Sequence, residues 1–411
     1  MSTAYRILVC CCLSYVISQF YRSANAVIGP DLMRELHLTP DDLGILTGAF
    51  FVTFAISQIP VGIALDRWGP RNTMLVTMAI AFVGALWFAA GDGLLELTMA
   101  RVVLGFGCGA LLTGPMVLFG RWFPPDRFAT YSGILIAFGS LGVIASTAPL
   151  AWFSQTYGWR AAFHVTGGFT VLLMLLAWFT LRDNPEGTAP AAGKRESLAD
   201  TIRGIGDVIR NRNFPYLFVI IFNAYATFIT LLGLWSGPYL YDVHGLDTSA
   251  RGNVLIFMAA GSALGYFAWG PLDRIFNTRK WLIAVGAGTQ LACFSAIILI
   301  PGLPVWLVGG LFTLMATMNG SSVMIFAHAR SVFPPALAGR GITTLNIGTM
   351  GGAAFQQILT GYLMGWLTPA GGHPDETAYR IVFGVQAALL AAALAYYLRV
   401  PDAKPNDAVQ S

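Results

Sequence analysis

Long apolar runs separated by short polar segments make up almost the whole chain. Twelve of these runs approach or exceed the roughly 20 helical residues needed to cross a hydrocarbon core of about 30 Å. They cover residues 7–29, 43–65, 73–91, 94–120, 129–152, 161–181, 214–240, 252–271, 281–300, 304–327, 341–366 and 378–398. The pattern predicts an all-α membrane protein with twelve transmembrane helices.

Basic residues are distributed unevenly between alternate connecting segments. If the amino terminus is cytoplasmic, the cytoplasmic segments hold 18 of the 24 Lys and Arg residues, and only Arg22 and Arg101 lie within spans. Basic residues concentrate in cytoplasmic loops of membrane proteins. We therefore expect both termini in the cytoplasm, and the inner membrane as the location if the source is bacterial.

The first apolar run imitates a cleavable signal peptide, because Arg6 precedes it and Ala24-Asn25-Ala26 resembles a cleavage site. The apolar stretch resumes after Ala26, however. Cleavage would leave eleven spans and two unmatched halves. The run is therefore predicted to be retained as the first span.

Composition supports the membrane assignment and excludes other classes. Hydrophobic residues make up 56% of the chain and charged residues 11%, whereas soluble domains carry about 25% charged residues. The five cysteines fall inside apolar runs, which favours packing over a disulfide or zinc site. No nucleotide loop, metal cluster or nucleophile motif is present. Neither an enzyme, a cofactor nor nucleic-acid binding is expected.

Two loop motifs recur at nearly the same distance along the chain. Asp66 and Asp273 follow the second and eighth runs, 207 residues apart, and Pro124 and Pro334 follow the fourth and tenth, 210 apart. The repeat predicts two pseudo-symmetric six-helix bundles, 1–181 and 213–411. Between them, 182–212 is predicted to form a linker with an amphipathic helix on the inner membrane surface, since Leu198, Ile202, Ile205 and Ile209 share one face.

The residues of these loops carry a family resemblance. Gly62-x-x-x-Asp66-Arg67-x-Gly69-Pro70-Arg71 resembles the signature loop of the major facilitator superfamily, and 270–280 resembles its repeat. Arg101 with Gly105 and Gly107 resembles the fourth-span motif, and Gly158-Trp159-Arg160 with Phe163 a turn before the sixth span. The fifth span has Gly139, Gly142 and Pro149 but lacks the Gly-Pro-x-x-Gly-Gly signature of proton-coupled drug exporters, which disfavours drug export.

The resemblance implies alternating access between two halves, with the loop motifs as a latch. The candidate latch residues are Asp66, Arg67, Arg71, Asp273 and Arg274. Asp66 can pair with a basic residue or with the positive end of a helix. The alternative is a solvated charge that only fixes topology.

A polar stripe on the first span provides the main candidate for substrate contact. Ser14, Ser18, Arg22, Asn25 and Gly29 recur at helical spacing, with Tyr15 and Tyr21 at the margins. A buried guanidinium is expensive in a bilayer and can bind an anion through two hydrogen bonds. The alternative is an arginine that snorkels to the headgroups. Phe20-Tyr21-Arg22 also resembles the first-span arginine of organophosphate and organic-anion members of the superfamily.

Further polar residues within the spans are weaker candidates. Arg101 is either a gating charge or a structural arginine that satisfies backbone carbonyls. Polar residues in the second half either contact substrate or join helices. The complete predicted substrate-binding set is Arg22, Tyr21, Asn25, Ser18, Tyr15, Arg101, Asn223, Tyr225, Asn319, Asn346 and Gln356.

The acidic residues all map to loops or to span ends, including Asp31, Glu35, Asp242 and Asp273. His164 and His328 are the remaining candidates for a titrating group, each with a structural alternative. A positive cavity favours an anion that exchanges with another anion or brings its own proton.

The leading hypothesis is a monomeric secondary transporter, surrounded by lipid, for a small organic anion such as a carboxylate or phosphate ester. The alternatives are an exporter of neutral or apolar compounds and a transporter-like ligand sensor.

Overall fold

The computed structural model of the protein describes residues 3–124, 127–185, 206–333, 335–369, 372–402 and residue 404. Helices account for nearly all of these residues, and the described ranges contain no strand. Ten helical segments are long and apolar enough to cross a membrane. One of them, Pro40–Ala90, contains two spans, and Pro335–Leu367 supplies another. The predicted all-α fold with twelve membrane helices is confirmed.

The first six spans are formed by the following helices. Span 1 consists of Thr3–Ser23 and Asn25–Leu36, spans 2 and 3 share Pro40–Ala90, span 4 consists of Leu94–Gly107 and Ala110–Trp122, span 5 of Phe128–Ala145 and Ala148–Tyr157, and span 6 of Trp159–Thr180. Gly69, at φ 80° and ψ 160°, separates spans 2 and 3.

The last six spans repeat this order. Span 7 consists of Phe214–Thr230, the π-helical turn Leu231–Trp235 and Ser236–Asp242. Span 8 is Thr248–Trp269, span 9 Lys280–Leu299, span 10 Val305–Met318 with a 3₁₀ turn at Asn319–Ser321 and Ser322–Val332, span 11 Pro335–Leu367, and span 12 Glu376–Tyr397. A short helix, Leu272–Phe276, precedes span 9.

Helix interruptions occupy corresponding places in the two halves. Span 1 is interrupted at Ala24 and span 7 by the π-helical turn that starts at Leu231, the same separation as between Asp66 and Asp273. Span 4 is interrupted at Cys108 and Gly109, and span 10 at Asn319–Ser321. Such irregular turns free backbone groups and are frequent at functional sites. They therefore mark where to look for a ligand.

Glycines allow the spans of each half to pack backbone against backbone. A Cβ added at Gly142 of span 5 would lie 2.1 Å from the carbonyl oxygen of Val16 in span 1. A Cβ at Gly352 of span 11 would lie 1.9 Å from the carbonyl oxygen of Phe222 in span 7. The two contacts are equivalent in the repeat, and neither leaves room for a side chain.

The chain separates into two compact units, Met1–Leu38 with Ile45–Arg195 and Thr39–Gly44 with Glu196–Ser411. Each unit exposes large apolar side chains on its surface: Phe179 is 76% exposed in the first, and Trp306 is 76% and Trp366 82% exposed in the second. Such surfaces are compatible with lipid and unfavourable in water. Most of the predicted linker helix lies outside the described residues, and of its apolar face only Ile209 is described, as an exposed side chain.

A carboxylate after the last span of each half caps the third span of that half. Asp183 accepts a hydrogen bond from the backbone N–H of Arg71 at 2.8 Å. Asp402 accepts from the backbone N–H groups of Lys280 at 3.0 Å and Arg279 at 3.3 Å, and from the Thr278 hydroxyl at 2.6 Å. A negative charge at a helix N-terminus satisfies free N–H groups and the helix dipole.

We expect Asp402→Ala to lower the free energy of unfolding by about 1 kcal/mol at neutral pH, as for other lost helix caps. Burial acts to raise the pKa of the Asp402 carboxyl, but its hydrogen bonds outweigh burial and hold the pKa below its ordinary value. A depressed carboxyl pKa stabilises the folded state above the unfolded pKa of about 3.9.

The difference in melting temperature between Asp402→Ala and the parent should therefore be complete at neutral pH. It should shrink as the pH falls through the folded pKa of Asp402. The exposed Asp207 provides the control, since Asp207→Ala should leave the melting curve unchanged. An equal loss of stability in both variants would rule out the capping role of Asp402.

Candidate functional site

Arg22 lies buried in the interior of the first half, two residues before the interruption of span 1. The residue is only 5% exposed. The guanidinium carbon lies 4.7 Å from the centre of the Phe54 ring and 6.0 Å from that of Phe51, both on span 2. A guanidinium over aromatic faces is stabilised by the ring quadrupoles. The contacts place Arg22 against aromatic side chains of span 2, inside the first half.

The other residues of the predicted stripe are also buried, but they do not all face the same neighbours. Asn25 donates from Nδ2 to the hydroxyl of Thr47 on span 2 at 2.9 Å. Ser14 donates to the carbonyl of Cys10 at 2.9 Å, and Ser18 is 1% exposed. Arg22 and Asn25 thus lie towards span 2 at the interruption.

The two tyrosines at the margins of the stripe lie against other helices. The hydroxyl of Tyr21 lies 3.1 Å from that of Thr170 on span 6, and its ring stacks on Phe163. Tyr15 packs against Gly139 of span 5, where an added Cβ would meet its ring at 2.4 Å. Their contacts join span 1 to its neighbours, and substrate contact by either tyrosine stays a prediction.

Arg101 of span 4 is 1% exposed and holds helices together. Its Nη1 donates to the backbone carbonyl of Tyr21 at 2.7 Å, and its guanidinium lies 4.7 Å from the centre of the Phe88 ring. The Nε and Nη2 atoms find no hydrogen-bond partner among the described residues. The contact to a span-1 carbonyl matches the structural alternative for Arg101, and a role in substrate binding stays a prediction.

In the second half, the interface of spans 7 and 11 contains a polar cluster. Gln356 donates from Nε2 to Asn223 Oδ1 and to the Thr227 hydroxyl, each at 3.2 Å. Trp235, at the end of the π-helical turn, donates to the Thr360 hydroxyl at 2.8 Å. Two of the predicted residues, Asn223 and Gln356, are therefore in contact with each other.

Sequence reasoning missed Gln357 in this region, and it placed Thr230 on the polar stripe of span 7 without including it in the substrate-binding set. Gln357 is fully buried, and both its amide atoms lack a hydrogen-bond partner within the described part of the chain. The hydroxyl of the buried Thr230, immediately before the π-helical turn, is in the same situation there. Unsatisfied buried polar groups are costly and mark sites for water or ligand. The adjacent Gln356-Gln357 pair in an apolar run was a signal that could have found Gln357.

The three remaining second-half candidates lie on spans 10, 7 and 11. Asn319, in the 3₁₀ turn of span 10, donates to the Tyr266 hydroxyl at 3.2 Å. The ring of the half-buried Tyr225 packs edge-on against Phe228. Asn346 is half-buried on span 11. Their roles stay predictions.

The loop motifs differ between the halves. Asp66, Arg67 and Arg274 are exposed. Arg71 donates to the carbonyl of Trp178 at 2.9 Å, and Asp273 pairs with Arg279 at 3.1 Å. In the first unit the carboxylate at the N-terminus of span 3 is that of Asp183, a residue the motif did not point to. The latch function of these residues stays a prediction.

The two histidines considered as titrating groups occupy different environments. His164 is exposed on the surface of span 6. His328 is fully buried, with Nε2 2.9 Å from the carbonyl of Pro401 and Nδ1 2.7 Å from the Tyr397 hydroxyl. A carbonyl only accepts, so Nε2 carries the proton and Nδ1 accepts from tyrosine. His328 ties the segment after span 12 to span 10.

The buried charged residues give the interior of the first half a positive character. Among the described residues, Arg22 and Arg101 are buried in the first half, and Arg251 is buried in the second, where the side chain of Asp242 is also buried. Arg251, which the loop pattern placed outside the spans, donates to the Thr248 hydroxyl at 2.9 Å at the start of span 8. A positive interior favours anions.

The family model described as Major Facilitator Superfamily matches residues 11–355 and, in a second match, 237–411. The chain belongs to the major facilitator superfamily. The predicted membership is thereby confirmed, and this superfamily protein is a multi-pass membrane transporter, not an enzyme.

Several similar proteins are named as transporters of anionic compounds. A hexuronate transporter of Bacillus subtilis is 25% identical over 78% of this chain and 74% of its own. A probable galactarate/D-glucarate transporter of the same species is 25% identical over 93% of this chain and 89% of its own. A probable sulfoacetate transporter of Cupriavidus necator is 30% identical, over 45% of this chain and 43% of its own.

Solved structures of superfamily members share the fold over nearly the full length. A bacterial homologue of the human lysosomal transporter Spinster, in an inward-facing and unoccupied conformation, aligns with a TM-score of 0.75 at 18% identity, over 97% of each chain. A nucleoside transporter aligns with a TM-score of 0.78 at 13% identity, over 97% of this chain and 99% of its own. At these identities the likeness establishes the fold alone.

Proposed function

We propose that this chain is a secondary transporter that moves a small organic anion across the membrane by alternating access, and that Arg22 contacts the anionic group. The observation that carries this proposal is the burial of Arg22 against Phe54, beside the interruption of span 1. A buried guanidinium is costly in a bilayer, and a carboxylate that accepts two hydrogen bonds offsets that cost.

The sequence around Arg22 supports an anion over a cation. Spans 5 and 6 contain no Asp or Glu, span 1 carries Asp31 and Glu35 only towards its end and well beyond Arg22, and span 2 carries acidic residues only at its two ends. A cationic substrate would meet like charge there without a carboxylate to receive it. An anion would be attracted by the positive interior of the first half.

The substrate class we propose is a sugar acid or a similar hydroxylated carboxylate. The relatives are named for hexuronate, galactarate, D-glucarate and sulfoacetate, which all bear a carboxylate or sulfonate. In the second half, Asn223, Gln356 and Gln357 offer amide donors and acceptors of the kind that bind hydroxyl groups. A proton or a counter-anion is the coupling partner that we propose.

Ligand-induced stabilisation tests the substrate class directly. Purified protein should melt at a higher temperature with D-galacturonate than without it, since a ligand at 100 times its Kd stabilises the folded state by about 2.7 kcal/mol. D-Galactose is the matched neutral compound and should shift the melting temperature less. Stabilisation by galactose and not by galacturonate would contradict the assignment.

The proposed location is a cytoplasmic membrane, with both termini in the cytoplasm. Epitope tags inserted at residue 190 and at the carboxyl terminus should be inaccessible in intact cells and become accessible after permeabilisation, and a tag at residue 371 should be accessible in intact cells. This follows from the placement of basic residues. Surface labelling at residue 190 in intact cells would contradict the topology.

A further inference from the structure

The end of span 7 that the proposed topology places outside carries a buried carboxylate. Asp242 is the last residue of the helix Ser236–Asp242, and its side chain is 1% exposed although the residue as a whole is partly exposed. Its Oδ2 accepts a hydrogen bond from the hydroxyl of Tyr379 in span 12 at 2.5 Å. Its Oδ1 has no hydrogen-bond partner among the described residues, and His373 Nδ1 lies 3.6 Å away.

The first half has an equivalent carboxylate in a different environment. Glu35 lies at the corresponding end of span 1, at the same separation from Asp242 as Asp66 has from Asp273. The indole N–H of Trp159 donates to Glu35 Oε2 at 2.7 Å, and Arg160 forms an ion pair with its other oxygen. Glu35 is 45% exposed. Each half therefore joins the end of its first span to the start of its last span through a carboxylate.

The two connections differ in what the arginine at the start of the last span contacts. Arg160 pairs with both Glu35 and Asp92 in the first half. Its equivalent in the second half, Arg380, donates instead to the backbone carbonyl of Ile298 at 2.6 Å. Asp242 is left with a tyrosine hydroxyl on one oxygen and an imidazole near the other. A carboxylate that is buried without a direct guanidinium contact can gain or lose a proton far more readily than a paired one.

We propose that Asp242 is a proton-binding site whose ionisation fastens the outer end of span 7 to span 12, and that His373 connects it to water. The imidazole of His373 is 80% exposed and lies between solvent and the free oxygen of Asp242. When Asp242 is ionised, the hydrogen bond from Tyr379 is charge-assisted and strong. Protonation of Asp242 weakens it and frees the end of span 7.

Charged and titratable residues also lie on the elements that neighbour Asp242. Arg251 of span 8 is buried and favours the ionised carboxylate. The acidic neighbours are held elsewhere: Asp247 caps span 8 through Ala250 N, Asp375 caps span 12 through Ala378 N, and Glu376 accepts from Gly302 N. His244 packs against the Tyr239 ring, and burial lowers the pKa of its imidazole.

Hydrogen–deuterium exchange of the purified full-length protein in lipid nanodiscs tests this site without any substrate. Amides of 236–242 should lose protection as the pH falls from about 8 to about 5, the range in which imidazole and perturbed carboxyl groups titrate, after correction for the intrinsic pH dependence of exchange. Asp242→Asn should reduce protection at the upper pH by about tenfold, the effect of one lost charge-assisted hydrogen bond. It should also abolish the pH dependence.

Two further variants separate the proposed roles. His373→Ala should retain the transition, because the hydrogen bond from Tyr379 to Asp242 does not depend on the imidazole. Glu35→Gln, the equivalent change in the first half, should leave exchange in 236–242 as in the parent. A parent protein without a pH transition in 236–242, or an Asp242→Asn variant that keeps the parental transition, would overturn the proposal.

The link to transport rests on the proposed function and has a separate readout. Uptake of D-galacturonate into proteoliposomes should depend on the pH of the compartment facing Asp242 in the parent and lose that dependence in Asp242→Asn. If the exchange transition is present but galacturonate is not transported, the proton site stands and the substrate assignment fails. If galacturonate is transported with the same pH dependence in both proteins, the proposed link of this site to transport is refuted.

Discussion

Replacing Arg22 with alanine is expected to weaken binding of D-galacturonate by about 100-fold or more, with normal insertion and folding. The size follows from losing the charged partner of a buried, doubly hydrogen-bonded carboxylate. Arg22→Lys should retain the charge but lose the planar fork, and should bind about tenfold more weakly than the parent. Equilibrium binding to the purified protein, by calorimetry or ligand-induced melting, measures both values.

Arg34 provides a matched control for these variants on the same span. It is largely exposed and pairs with Asp31 at 3.2 Å, an ion pair of a kind that contributes little. Arg34→Ala should therefore bind galacturonate as the parent does. Parental affinity in Arg22→Ala would show that Arg22 has a structural role, and the assignment of an anionic substrate would lose its main support.

Gly352→Ala is expected to destabilise the second half by about 1–3 kcal/mol or more, the range for overpacked interiors. The added methyl group would lie 1.9 Å from the carbonyl oxygen of Phe222. That oxygen belongs to the backbone of span 7, so no rotamer change can relieve the clash, and spans 7 and 11 must separate. We expect a lower melting temperature and a smaller monodisperse fraction in size-exclusion chromatography.

The neighbouring glycine provides the control for this substitution. A Cβ at Gly351 would have the Phe222 ring at 3.8 Å as its nearest recorded neighbour, an ordinary van der Waals contact. Gly351→Ala should be neutral or slightly stabilising, because alanine favours helix more than glycine does. If both variants melt alike, close packing of span 7 on span 11 is not what holds this interface.

The number of spans and their apolar character could be predicted because each span is one continuous apolar run of sufficient length in the sequence. The apolar runs did not indicate where a helix is interrupted. Neither the interruption at Ala24 nor the π-helical turn at Leu231–Trp235 contains a proline. Their positions depend on how neighbouring helices pack, which a single run does not contain.

The candidate site was predictable where a polar residue stood out against an apolar background. Arg22 and Asn25 were found in this way, and so were Asn223 and Gln356, which turn out to be in contact. The contacts that each residue makes could not be predicted from the sequence. Tyr21 was chosen for its place beside Arg22, yet its hydroxyl lies beside that of Thr170, which is 149 positions away in the chain.

Asp242 shows the limit most clearly. The hydropathy pattern assigned it correctly to a span end, and on that basis it was not considered as a titrating group. Its burial results from Tyr379, a residue 137 positions away that approaches only in the folded bundle. The caps formed by Asp183 and Asp402 have the same origin, because each joins segments that are more than 100 residues apart.

Counterflow in proteoliposomes tests the central claim most directly, since it requires substrate movement and no assumption about the driving ion. Vesicles that contain the purified protein and are loaded with unlabelled D-galacturonate should accumulate labelled D-galacturonate, and unlabelled D-galactose should not compete. The account predicts this selectivity for the anion and its loss in Arg22→Ala. Equal exchange of galacturonate and galactose, or undiminished exchange in Arg22→Ala, would contradict it.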